Sequence, residues 1–137
     1  MAKPLAGLML ALCCTTALAC GHCVEDKIAA VYDHASVMQA LDRKHHIAFF
    51  AIDGRLTLVD GASRGLETLA ESAVGVDKGS ARASAESAAL AVAFDPKRTS
   101  FAAVQKTLER KFAGKKLTLQ PLRIMDKPAQ MKAVELR

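Results

Sequence analysis

At 137 residues the chain is long enough for one domain with a buried core, and with no Trp and few aromatic residues that core is built mainly from Ala, Val and Leu. Its net charge of +5 is scattered, with Asp and Glu among the Lys and Arg. It carries neither an aromatic-basic motif nor a basic helix suited to a DNA groove, so nucleic acid is not expected as a partner.

The first nineteen residues read as a signal peptide. Lys3 supplies the positive start, "PLAGLMLALCC" a short apolar segment, and Ala17-Leu18-Ala19 the small-x-small site after which a signal peptidase cuts. The apolar run falls well short of the ~20 residues that span a bilayer, and no later run reaches that length. The expected mature protein is therefore exported, which in a bacterium places it in the periplasm. Cys13 and Cys14 leave with the signal, and the mature chain keeps Cys20 and Cys23 of the "CGHC" that follows. A second route stays open. "ALAC" partly fits a lipoprotein signal, although Ala17 stands where Leu is usual, and a lipid on Cys20 would block both its sulfur and its amine.

Residues 23–43 are expected to form one helix, with Val24, Ile28, Val31, Tyr32, Ala35 and Met38 or Gln39 at three- and four-residue steps. Glu25 and Asp26 lie in its first turn, where they complement the helix dipole. "HIAFFAIDG" at 46–54 is an apolar run ended by a Gly turn and reads as a strand. From Ser63 to Val74, Leu66, Leu69, Ala70 and Ala73 share a helix face, with Ser63 as the cap and Gly75 as the stop. "KGSARASAES" at 78–87 alternates, with Ala81, Ala83 and Ala85 on one side. "AALAVAFDP" at 88–96 alternates in turn, with Leu90, Val92 and Phe94 inward, and the two strands pair as a hairpin around residues 86–88. Residues 100–112 carry Phe101, Val104, Leu108 and Phe112 on one stripe, capped by Thr99 or Ser100. The last strand is 115–125, where Pro121 marks an edge or a bulge. The charged tail, 126–137, reads as frayed.

From residue 46 the order is strand, helix, strand, strand, helix, strand. That is the α+β ferredoxin-like βαββαβ sandwich, a four-stranded antiparallel sheet with two helices on one face. The chain thus divides into a signal peptide (1–19), a CGHC segment with an extra helix (20–45), the sandwich (46–125) and the tail. The extra helix has no fixed place in this scheme. It covers the open sheet face or stands apart.

The segment "AALAVAFDPKRTSFAAVQKTLERKF" resembles the heavy-metal-associated domain of copper chaperones and metal-pumping ATPases, which commonly carries V-x-F-D-P-x-x-T-S in its third strand and the turn after it. "AVGV", after the first helix of the sandwich, also fits. The resemblance spans about residues 46–125 and implies the ferredoxin-like fold. It departs at the site. Where the family places G-M-x-C-x-x-C, this chain reads "IDGRLTLVDGASRG", without Cys, Met or His. The family's metal loop is degenerate here, and its function is not carried onto residues 54–65.

The missing thiols have a counterpart at the N-terminus, since "CGHCVEDKIAAV" is similar to the family's C-x-x-C-V-x-x-I with Ile28 one residue late. Thiolates at a helix start are stabilised by its amides and dipole, and paired thiolates favour Cu(I), Zn(II) and similar ions. Cleavage after Ala19 would also leave a free amine with His22 third, a planar nitrogen set suited to Cu(II) or Ni(II). The expected ligands are Cys20, Cys23 and His22, with copper the expected ion. His34 and Met38 share a helix face, but eleven residues of continuous helix put His34 ~16 Å beyond Cys23. Met38 reads as core. His45 and His46, at a helix-to-strand junction, are either solvated or a second site.

Two other classes remain. CGHC is also the redox motif of protein disulfide isomerases, but no strand enters it here and no Pro suggests a loop facing a disulfide. A plain interaction module would use Cys20 and Cys23 as a structural disulfide, and its strand at 117–125 as an edge for a homodimer. No motif sets a base beside Cys, Ser or Asp, so the chain is not read as an enzyme. The leading expectation is an exported soft-metal binding protein, partnered by a metal donor or acceptor, for delivery or detoxification.

Overall fold

The computed structural model describes residues 16–127, with residues 16–23 described by their backbone alone. Most of the expected signal peptide and the tail from residue 128 lie outside the described residues. The elements in order are α1 (Thr16–Val31), α2 (His34–Asp42), β1 (His46–Asp53), α3 (Ala62–Glu71), β2 (Arg82–Ser84), β3 (Ala89–Phe94), α4 (Phe101–Ala113) and β4 (Thr118–Met125). The sheet order is β2-β3-β1-β4 with every pairing antiparallel. From β1 onward this is the expected βαββαβ sandwich, with α3 and α4 on one face.

Beneath α3 and α4, Phe50, Leu90, Val92, Leu66, Leu108 and Phe112 form the larger core. Val104, Leu108 and Phe112 recur at helical spacing along α4 and are fully buried. Phe101 stacks on Phe50 with ring centroids 5.9 Å apart. Ser100 caps α4, its hydroxyl accepting the Ala103 N–H at 3.1 Å. The cap expected of Ser63 does not form. α3 starts instead from Gly61, at φ 81°, without a side-chain cap.

β2 is only three residues long rather than the ten expected. Pairing stops there because the Ala93 N–H of β3 goes to Ser80 Oγ (3.1 Å), the Ala93 carbonyl accepts the Asp77 N–H (2.8 Å), and residues 85–88 form a turn. Ser63 meanwhile has another partner. The Ala81, Ala83 and Ala85 N–H groups donate to Glu71 Oε1 (3.2 Å), Glu67 Oε1 (3.3 Å) and Ser63 Oγ (2.9 Å). Residues 63, 67 and 71 recur every four positions along α3, and residues 85, 83 and 81 every two along the strand. Helix side chains thus occupy the donors that an adjacent strand would take, and this edge of the sheet is closed to pairing. At the other edge, β4 carries a bulge. Phe49 pairs with Arg123 and Phe50 with Pro121, leaving Leu122 extra, as Pro121 suggested.

The extra N-terminal element is two helices, not one. Asp33 is extended (φ −115°, ψ 109°), and its carboxylate accepts the Ser36 hydroxyl at 2.6 Å and Arg82 Nε at 3.1 Å. Its carbonyl accepts the Val37 N–H at 2.9 Å and opens α2. These local bonds compete with helix continuation, and Arg82 on β2 fixes the break from outside. Together α1 and α2 cover the second face of the sheet. Ile28, Val31, Val37 and Ala40 pack on Ile47, Phe49, Ala89, Ala91, Ala93 and Met125 in a second core. The alanines at 89, 91 and 93 keep β3 low on that face, which leaves room for a helix. Both sheet faces are therefore covered, and six consecutive residues of β1, Ile47 to Ile52, are buried.

Candidate metal centre

The segment bearing CGHC is joined directly to this second core. Val24 packs against it half-buried, and Ile28 and Val31 are buried one and two turns further on. Lys27 Nζ donates to the carbonyls of Ser87 (2.6 Å) and Ala88 (3.2 Å), which ties α1 to the β2–β3 turn. Glu25 accepts both Arg123 terminal nitrogens from β4. That charged hydrogen bond, reinforced by the guanidinium charge, holds the Glu25 carboxyl below its usual range. Val24 to Val31 is thereby pinned at three points.

CGHC itself falls inside α1, whose backbone runs from Thr16. The side chains of Cys20, His22 and Cys23 lie outside the described residues. Positions 20 and 23 are three apart in the helix, on neighbouring turns of one face. Position 20 also lies four residues before Val24, in line with the stripe that meets the sheet.

His34 opens α2 and is exposed, its Nδ1 3.4 Å from the Tyr32 hydroxyl. The continuous-helix distance from Cys23 to His34 does not apply, because the helix breaks between them at Asp33. Met38 is half-buried rather than core; α2 buries Val37 and Ala40 instead. His46 packs edge-on against Phe94, with centroids 5.6 Å apart. His45 is not simply solvated. Its Nδ1 lies 2.5 Å from Asp77 Oδ2, and its Nε2 faces Asp95 Oδ2 at 3.7 Å. Residues 45 and 77 are 32 positions apart, so no local spacing signalled this cluster.

The segment that carried the family resemblance, "FDPKRTS", acts here as a turn. Asp95 Oδ1 accepts the Lys97 N–H (2.9 Å), its carbonyl accepts the Thr99 N–H (3.0 Å), and Ser100 then starts α4. The connection between β1 and α3, where the resembled family keeps its thiols, is an open loop. Leu58 and Val59 stand 64% and 63% exposed there, with Arg55 and Lys115 beside a shallow cleft floored by Leu66 and Leu117. Gly54 leaves β1 at φ 126°, and a Cβ there would meet Leu117 Cδ2 at 2.8 Å and the Lys116 carbonyl at 3.0 Å.

Among the described residues no three or more His, Cys, Asp or Glu side chains form a group that could hold a metal ion, and no helix is long and apolar enough to cross a membrane. No protein-family model matches the chain, and no curated protein sequence matches it. Two solved structures are similar to it. One is oxidised MerP from Ralstonia metallidurans CH34, at a TM-score of 0.44 and 20% identity, with 58% of this chain and 99% of that chain covered. The other is a copper binding domain from HMA7, a P-type ATPase, at a TM-score of 0.44 and 18% identity, with 58% of this chain and 96% of that one covered.

Proposed function

We propose that this is an exported protein that binds a soft metal ion, copper above others, through Cys20 and Cys23 with His22 as a third ligand. The observation that carries the reading is the passage of α1 through the CGHC segment. Residues three apart in a helix lie on neighbouring turns of one face, with Cβ atoms about 5–6 Å apart. Two thiolates on adjacent turns suit one soft ion between them.

Cleavage after Ala19 would make Cys20 the first residue of the shortened helix. Its free amides and dipole would then lower the cost of the thiolate form. The ferredoxin-like body acts as a carrier in this reading. It holds α1 through Val24, Ile28 and Val31 while its own β1–α3 loop supplies no thiol. Zn(II) and Ni(II) are the alternative ions, and a metal-donor or metal-acceptor protein is the expected partner.

The test is the native intact mass of the exported protein, purified anaerobically and offered one equivalent of Cu(I). The expected result is a chain beginning at Cys20 with one copper, lost in the Cys20→Ser/Cys23→Ser variant. A copper-free mass two hydrogens below the reduced value would assign a disulfide. An acylated Cys20 would remove the two-thiolate site.

A further inference from the structure

The cluster around His45 has an organisation that its place in the fold does not require. It lies where α2 hands over to β1, and it gathers Asp77 from the α3–β2 connection and Asp95 from the turn after β3. Asp77 Oδ2 is 2.5 Å from Nδ1, so the Nδ1 proton lies in that hydrogen bond. Nε2, on the far side of the ring, is 3.7 Å from Asp95 Oδ2, which is beyond hydrogen-bond reach. A histidine whose one nitrogen is held by a carboxylate and whose other nitrogen is directed at a second anionic oxygen has the arrangement of a metal-ligating imidazole.

We propose that His45 Nε2 and Asp95 Oδ2 are two ligands of a divalent-metal site for Zn(II) or a similar borderline ion, with Asp77 positioning the imidazole and water completing the shell. This site is separate from CGHC and does not rest on the reading of that segment. The dimensions fit. Bonds of about 2.0–2.1 Å in a tetrahedral shell put neighbouring ligands about 3.4 Å apart, so closing 3.7 Å needs only a few tenths of an ångström. The two carboxylate residues are already held in place. Asp95 Oδ1 accepts the Lys97 N–H at 2.9 Å, and the Asp77 backbone N–H donates to the Ala93 carbonyl at 2.8 Å.

The side chains of His45, Asp77 and Asp95 are 18%, 24% and 23% exposed, sheltered yet open to water ligands. Asp77 and Asp95 also line a neighbouring surface cleft with Val76 and Arg98, which His45 does not line. A competing cation near Asp95 is Arg98, whose Nε stands 3.8 Å from Oδ2 on a side chain that is 87% exposed and able to swing aside. With two protein ligands the site is weaker than a three- or four-ligand cage and suits exchange of the ion rather than permanent storage.

The test uses the full chain with Cys20→Ser/Cys23→Ser, so that CGHC cannot compete, and Zn(II) alone as the probe. Long-range ¹H–¹⁵N spectra of the imidazoles should show the His45 Nε2 resonance moving in a saturable titration. Co(II) should broaden the amides around His45 and Asp95. Asp95→Asn should weaken the titration at least tenfold, and Asp77→Asn, which removes the positioning carboxylate, about 10–100-fold. If the His45 resonances ignore Zn(II), the cluster is an ion-pair clamp between connections and the proposal is overturned. Unchanged affinity in both Asn variants would overturn it equally. The ring's response to Zn(II) is read on the unsubstituted cluster, so the outcome does not depend on whether a His45 variant folds.

Discussion

Replacing Ile28 with Ala tests whether α1 is part of the folded body, on which any function of the preceding turn depends. Ile28 is 6% exposed and packs in the second core with Val31 and Phe49. The substitution removes three buried carbons, about 2.4 kcal/mol at ~0.8 kcal/mol each. A residual cavity adds to this, and measured Ile→Ala costs lie between about 2 and 5 kcal/mol. Ala is the better helix former and returns a few tenths, roughly 0.4 kcal/mol. The site lies between a helix and a sheet and can partly collapse, so about 3 kcal/mol is expected. For a domain of this size that lowers Tm by about 12 °C, at roughly 4 °C per kcal/mol. The assay is urea denaturation beside Asp26→Ala, an exposed neighbour on the same helix, which should stay within about 0.5 kcal/mol of wild type. An Ile28→Ala variant as stable as that control would refute the packing of α1 on the sheet.

Other expectations follow from single contacts. The Asp33 carboxyl is held below its usual range by the Ser36 hydroxyl and then by Arg82. Its contribution is therefore fully present above the unfolded value near pH 4 and is lost as pH falls through the lower folded value. The stability gap between wild type and Asp33→Ala should narrow in acid, and a gap that stays constant down to about pH 2 would contradict the assignment. Glu67→Ala leaves the Ala83 N–H without its acceptor and should cost about 1 kcal/mol; the direct readout is faster hydrogen exchange at Ala83, with no change at Leu90. Gly54→Ala meets both a positive φ and the Leu117 side chain, and should cost about 2 kcal/mol or more in thermal unfolding. A neutral Gly54→Ala would mean the loop relaxes away from Leu117.

The sandwich was legible because its periodicities are local. Leu66 and Ala70 in α3, Leu90, Val92 and Phe94 in β3, and Val104, Leu108 and Phe112 in α4 are all buried as the spacing predicts. The break at Asp33 was not, because the apolar spacing runs straight through it while the break comes from its bonds to Ser36 and Val37 and is fixed by Arg82 from 49 positions away. A signal for the covered second face was present in "IAFFAI", which is apolar without alternation. A strand that is wet on one face has no reason to carry six apolar residues in a row. Ala81, Ala83 and Ala85 suggested a long β2 by their alternation, but Ser80 Oγ and the Asp77 N–H occupy Ala93 of β3 and residues 85–88 turn, so pairing stops at three residues, which strand periodicity does not encode. At the candidate site the legible part was chemical: two thiols and an imidazole in four residues. The His45 cluster was hidden, because its three members come from three connections and meet only once the sheet has formed.

Whether one ion sits between the thiols of α1 decides the proposed function. Copper-edge X-ray absorption of the anaerobic, singly loaded protein measures the first shell of the metal directly. The expected result is two sulfur scatterers, both absent in Cys20→Ser/Cys23→Ser, with the fold of both proteins unchanged by circular dichroism. A first shell of nitrogen and oxygen alone, equal in wild type and variant, would contradict the two-thiolate site and place the copper elsewhere on the chain.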